Sequence, residues 1–214
     1  MTPKQQSYEA LAQTIIKKME KRRFEACYCP TKEEAFEKVT SYFTKGCSIT
    51  CGGSVTLSEI GIKDFLVSDA AKDYTYINRD LAKTSEEKRQ VFSQAVLADY
   101  YLMSSNAITM DGELVNIDGM GNRVAALCFG PSNVIIVAGM NKIAGDEKAA
   151  RDRVRSLASS PNAIRLNLNT PCAFTGVCGE CLGDDCICSQ IVTTRYSKVP
   201  GRIKVILVGE ELGY

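Results

Sequence analysis

The chain has 214 residues, 45% of them hydrophobic, with 26 Lys and Arg against 25 Asp and Glu and a net charge of +1. That length and apolar content suffice for one domain with a buried core, and so balanced a charge offers no field to gather nucleic acid or an anionic membrane. Histidine is absent, which removes Ser-His-Asp triads, Cys-His dyads and imidazole metal sites and leaves acid–base work to Asp, Glu, Lys, Tyr or Cys.

Within residues 1–22, Tyr8, Leu11, Ile15 and Met19 recur at near-helical spacing among Lys, Gln and Glu, which predicts an amphipathic N-terminal helix. This segment has no apolar run followed by a small-residue cleavage site, and no run of about 18 apolar residues occurs anywhere, so a cytoplasmic protein without a membrane span is expected. In a reducing compartment the ten cysteines are expected to serve metal binding, catalysis or packing in place of disulfides.

Farther along, FEACYC (24–29) reads as a strand, and Thr31 with Glu34 as a capping box opening a helix that carries Ala35, Val39 and Phe43. CSITCGG (47–53) is a short apolar strand ending in glycines, and DYTYIN (73–78) is another. A second capping box, Thr84 with Glu87, opens a helix with Val91, Phe92, Ala95 and Val96. A strand at 100–105 then precedes two short runs joined by Asp111-Gly112, a dipeptide suited to tight hairpin turns. NVIIVAG (133–139) is a continuous apolar strand, 146–158 an Ala/Arg-rich helix, and RIKVILVGE (202–210) the last strand. Apolar strands separated by amphipathic helices predict a three-layer α/β fold with a mainly parallel sheet and an inserted β-hairpin. The expected organisation is a single domain over 1–214, with residues 170–201 as a loop-rich, cysteine-rich insertion before the last strand.

In open parallel sheets ligands bind beyond the carboxyl ends of the strands, and three such ends carry polar residues. Gly52, Gly53 and Ser54 follow the 47–53 strand, where backbone amides and a hydroxyl can hold an anion, although Ser54 also suits an ordinary helix N-cap. The hairpin region gathers Ser104, Ser105, Asn106, Asp111, Glu113, Asn116, Asp118, Gly121, Asn122 and Arg123. Strand alternation places Glu113 and Asp118 on opposite faces, so they need not converge as a catalytic pair. Gly121 permits close approach, and the Arg123 guanidinium can clamp a carboxylate or phosphate, with a structural ion pair as the alternative. Lys142, directly after the 133–139 strand, supplies positive charge to an anionic ligand or else faces solvent.

The cysteine segment has the spacing Cys172-x5-Cys178-x2-Cys181-x4-Cys186-x-Cys188. Five thiols around one CxxC suit Zn²⁺ or an iron–sulfur cluster, each of which takes four thiolates where histidine is lacking. Oxidised disulfides or free thiols that merely pack are the alternatives. Cys27, Cys29, Cys47, Cys51 and Cys128 fall on predicted strands or their ends, where a buried thiol acts as a small hydrophobe. No G-x-G-x-x-G signature for a flavin or nicotinamide is present.

ITCGGSVTLSEIGI, SSNAITMDGELVNIDGMGNRVAALCFGPSNVIIVAGMNKI and PCAFTGVCGECLGDDCICS…PGRIKVILVGEELGY resemble, in that order, blocks of the LUD, or lactate-utilisation, domain family. The resemblance implies a NagB/RpiA/CoA-transferase-like fold and a ligand cleft formed by Gly52, Gly53, Ser54, Asn106, Gly121, Asn122, Arg123 and Lys142. It also implies a part in oxidising L-lactate or a related 2-hydroxy acid to pyruvate, as catalyst or accessory subunit, beside iron–sulfur partner proteins. Two other readings stay open: a metal or iron–sulfur electron-transfer module built on the cysteine loop, and an enzyme acting on a sugar phosphate or CoA ester.

Overall fold

The structure is a computed structural model that describes residues 1–214. Helix α1 (Pro3–Lys21) opens with Pro3 in its first turn and a capping box between Thr2 and Gln5, which satisfies amides that a helix start leaves orphaned. It buries Ala12, Ile15, Ile16 and Met19. Strand β1 (Glu25–Cys29) follows, then α2 (Lys32–Thr40), where Thr31 accepts from the Glu34 amide. The chain continues through β2 (Ser48–Cys51), α3 (Val55–Glu59), α4 (Ile62–Leu66), β3 (Thr75–Ile77) and α5 (Ser85–Leu97). The expected box at Thr84 and Glu87 caps α5 in full. After β4 (Tyr100–Met103) come β5 (Ala107–Thr109), β6 (Leu114–Asp118), α6 (Asn122–Cys128) and β7 (Asn133–Gly139).

Six strands form a wholly parallel sheet in the order β1-β10-β7-β4-β2-β3, with β10 at Ile203–Val208. Period-two alternation assigns its side chains to two cores. Val134, Ile136, Val205 and Leu207 pack with Ile15 and Met19 of α1 and Leu127 of α6, while Ile135, Val137, Ile206 and Val208 pack with Val39 of α2 and Leu57 and Ile62 of α3 and α4. Every one of these side chains is buried, which is why the strands read as unbroken apolar runs. The molecule is thus a three-layer α/β structure.

The inserted hairpin belongs to a second sheet that the sequence did not reveal, ordered β8-β5-β6-β9. Its outer strands are β8 (Ile143–Ala144), too short to show a period, and β9 (Gln190–Thr194), which lies inside the segment expected to be loop. β9 pairs antiparallel with β6 along its whole length, from Leu114 opposite Thr194 to Asp118 opposite Gln190. The same segment also holds the short helix α9 (Pro171–Thr175). At the hairpin turn Gly112 has φ +81°, and a Cβ there would sit 2.8 Å from Met19 Cγ, so the tip closes on the end of α1.

The helix expected over 146–158 is longer and broken: α7 (Glu147–Arg153), a π-helical turn at Val154–Ala158, then α8 (Ser159–Arg165). Pro161 lacks the amide hydrogen that would continue the ladder, and the widened turn falls just before it. Ala107, Val115, Ile117 and Ala144 pack beneath this helical segment against Ala150, Val154 and Ala158. No helix is long and apolar enough to cross a membrane.

Candidate functional site

The two sheets share connections. β4 runs into β5 through Ser104–Asn106, and β7 into β8 through a single 3₁₀ turn at Met140–Lys142. Between the carboxyl ends of the parallel strands and the second sheet lies a cavity of about 260 Å³. All three strand ends singled out in the sequence reach it: Gly53 and Ser54 from β2, Asn106, Asn122 and Arg123 around the hairpin, and Lys142 from β7. Gly52 and Gly121 stand just outside. Gly52 lets Arg123 and Tyr101 pass close, since a Cβ there would meet the Tyr101 hydroxyl at 3.0 Å and Arg123 Cδ at 3.4 Å. Gly121, at φ +81°, precedes α6 and donates its amide to Asp118 Oδ1 at 2.8 Å.

Arg123 differs from its expected role as an anion clamp. Nη1 donates to Ser104 O and Asn116 Oδ1, Nη2 donates to Asn106 Oδ1 and Ile117 O, and Nε lies 3.4 Å from Asp118 Oδ2. The four Nη hydrogens therefore find protein acceptors, Nε is ion-paired with Asp118, and the side chain is only 15% exposed. Arg123 stitches the β4–β5 connection, β6 and α6 together, the structural alternative left open by the sequence, with four of its five donors used inside the protein. Burial works against its charge, while Asp118 and the Tyr101 phenol support it. Asp118 is spent on the same network. Glu113 is elsewhere, 3.2 Å from Arg22, so the two hairpin carboxylates do not converge.

Lys142 also departs from a solvated surface lysine: it is 4% exposed. Its Nζ donates to Thr56 Oγ1 at 3.0 Å and Ser104 Oγ at 2.9 Å and makes no ion pair. Burial draws its pKa down to about 7; Arg153 and Arg123 push the same way and Glu59 opposes them. Ser54 lines the cavity while its Oγ accepts from the Leu57 amide at 3.3 Å, so it is also the N-cap of α3.

Several cavity residues gave no local signal in the sequence. Thr56 is the second residue of α3, Arg79 follows β3, and Arg165 ends α8. The C-terminal Gly213 and Tyr214 are folded back, because Asn141 Oδ1 accepts from Leu212 N at 3.1 Å and Glu59 Oε2 from Gly213 N at 2.7 Å. These are long-range meetings that spacing along the chain cannot show.

The cysteine segment forms part of the same wall. Ile187 lines the cavity, and its Cα would lie 3.3 Å from a Cβ on Gly119. All ten cysteines are free thiols. Cys172 is buried and paired with Thr170 Oγ1 at 3.3 Å, and Cys188 faces Ser159 Oγ at 3.5 Å. Cys178, Cys181 and Cys186 are half-buried. Burial and then the neighbouring Cys186 thiol raise the pKa of Cys181, with Cys172 and Cys188 adding to it. The thiols thus sense one another, yet no three side chains of Cys, Asp or Glu are gathered closely enough to hold a metal ion. A four-thiolate site would require the loop to rearrange, since Cys172 and Cys188 are turned to hydroxyl partners. Outside this segment Cys29, Cys47 and Cys51 are buried as expected, whereas Cys128 is exposed at the end of α6 and packs no core.

The family model for the LUD domain matches residues 12–208. No curated protein matches the chain. Among solved structures it is similar to a DUF162 family protein from Deinococcus radiodurans, with TM-score 0.54 and 11% identity, over 94% of this chain and 98% of that one. At that identity the likeness shows the shared fold. The family match takes in all of the strands, the cavity-lining Gly213 and Tyr214 lie beyond it, and the chain belongs to the LUD domain family.

Proposed function

We propose that the cavity binds a small carboxylate of the lactate–pyruvate kind, and that the protein serves the oxidation of L-lactate or a related 2-hydroxy acid as its ligand-holding subunit. The observation that carries this reading is Lys142, a buried amine without a carboxylate partner on the wall of a polar cavity. Burial disfavours the charged form of this amine, and an anion entering the cavity would favour it. Arg79 and Arg165 add two further cations to the lining, and the hydroxyls of Ser54, Thr56 and Ser104 suit a 2-hydroxy or 2-oxo group. Membership of the LUD family supports the lactate assignment. Two electrons and two protons leave L-lactate as it becomes pyruvate, and in this reading an iron–sulfur partner protein accepts the electrons.

The test is thermal denaturation and calorimetric titration with L-lactate, pyruvate, acetate and inorganic phosphate. L-Lactate and pyruvate should raise the melting temperature of the native protein more than acetate or phosphate do. Lys142→Met and Arg79→Ala should each weaken the effect. Equal stabilisation of native protein and both variants would remove the cavity from consideration.

A further inference from the structure

We propose that Lys142 captures a 2-oxo acid covalently, as an imine between its Nζ and the C2 carbon of the ligand. This deepens the carboxylate reading above and rests on it. The local hydrogen bonding carries the inference. A neutral amine has two N–H donors and one lone pair, and Nζ has two acceptors in the protein, Thr56 Oγ1 at 3.0 Å and Ser104 Oγ at 2.9 Å. The site therefore satisfies the neutral form completely, whereas an ammonium would keep one donor without a protein acceptor. The two hydroxyls fix both hydrogens, so the lone pair is the valence left for a ligand in the cavity.

The surroundings favour the same form. Arg153 and Arg123 both lower the proton affinity of Nζ, against Glu59 alone, and a desolvated amine beside other cations is the usual means of making a lysine nucleophilic near neutral pH. The 3₁₀ turn at Met140–Lys142 holds the backbone directly at the end of β7, so the nucleophile stands on a rigid strand end. Arg79 and Arg165 supply charge for the carboxylate of the ligand, because the guanidinium nitrogens Nη1 and Nη2 of Arg123 are bound within the protein. An amine for a carbonyl and cations for a carboxylate together define a 2-oxo acid, in preference to a simple aldehyde or a phosphate ester.

The step balances without an oxidant. The Nζ lone pair forms a C–N bond to C2 as the carbonyl π pair moves onto oxygen. A proton passes from nitrogen to that oxygen through the Ser104 or Thr56 hydroxyl, giving a carbinolamine. Loss of water then gives the imine, so amine plus 2-oxo acid yields imine plus water.

The experiment traps the imine by hydride reduction. Full-length protein is incubated with pyruvate and cyanoborohydride, and the adduct is located by intact mass and peptide mapping. One adduct per chain is expected, on Lys142, with a trapping rate that rises through about pH 7 and falls at least tenfold in Ser104→Ala. L-Lactate, which has no carbonyl, should give none, and Lys142→Arg, which keeps a cation in place, should lose the adduct. Adducts scattered over surface lysines, or undiminished in Lys142→Arg, would overturn the proposal. Pyruvate that stabilises the protein without forming an adduct would overturn covalent capture and leave carboxylate binding standing. Neither stabilisation nor adduct would remove both.

Discussion

Arg123 Nη2 and Asn106 Oδ1 are joined by a 2.8 Å hydrogen bond that ties α6 to the connection between the two sheets. The same guanidinium reaches Ser104 O, Ile117 O, Asn116 and Asp118, so removing it orphans buried acceptors and one carboxylate at once. Arg123→Ala is expected to lose on the order of 3–5 kcal/mol in urea denaturation, the range for breaking one side of a buried charged network. Arg123→Lys should recover little, because one ammonium cannot replace a planar fork of five donors. Full recovery by lysine would show that charge alone matters there.

Lys142 makes stability depend on pH in a definite direction. Its pKa is about 7 in the folded protein against 10.5 for the ordinary group. Between those values the unfolded chain holds a proton that the folded one does not, so stability increases as pH rises from about 7 to 10.5. Below that window both states are protonated and the folded state carries the whole cost, on the order of 5 kcal/mol before relaxation. Lys142→Met should therefore melt above the native protein at pH 6, with the advantage fading by pH 10. An advantage constant across that span would place the lysine at its ordinary pKa.

Gly139 ends β7 where the C-terminal segment crosses it. A Cβ at that position would lie 2.6 Å from both Glu210 O and Leu212 N, which are backbone atoms and cannot swing away. Gly139→Ala is expected to destabilise by about 1–3 kcal/mol through overpacking, and to loosen Gly213 and Tyr214 from the cavity. Denaturation together with pyruvate titration checks both, and a variant of native stability and affinity would refute the close crossing.

The main sheet could be read from the sequence because its inner strands β4, β7 and β10 are buried on both faces. NVIIVAG and RIKVILVGE are unbroken apolar runs, and the glycines and lysine that follow the strands mark their carboxyl ends. The second sheet could not, since β8 has two residues and QIVTT of β9 is only partly buried; it is recognised only through its partner β6. The site shows the same division. Gly53, Ser54, Asn106, Asn122 and Lys142 were visible as polar residues at strand ends, but what each side chain binds depends on distant groups. Arg123 looked like a free clamp because its acceptors, two backbone carbonyls among them, carry no mark in the sequence. Thr56, Arg165 and the folded-back C-terminus were hidden for the same reason.

Thiol reactivity follows from burial. With the reduced protein, a bulky alkylating reagent should modify exposed Cys128 first, and buried Cys29, Cys47, Cys51 and Cys172 only on unfolding. Burial pushes the pKa of Cys51 and Cys188 upward, which slows them further at neutral pH. Peptide mapping over time gives the order. Joint protection of Cys172, Cys178, Cys181 and Cys186, released by a chelator, would instead show that the loop had closed around a metal.

Because Ile187 rests on Gly119 and forms one side of the cavity, residues 172–188 are mechanically continuous with whatever occupies that space. Ile187 stands between Cys186 and Cys188, so a bond that draws those two sulfurs elsewhere, by oxidation or by an incoming ion, would pull on the cavity wall. Occupancy of the chamber and the chemical state of the sulfurs are on this account linked quantities: each would report on the other.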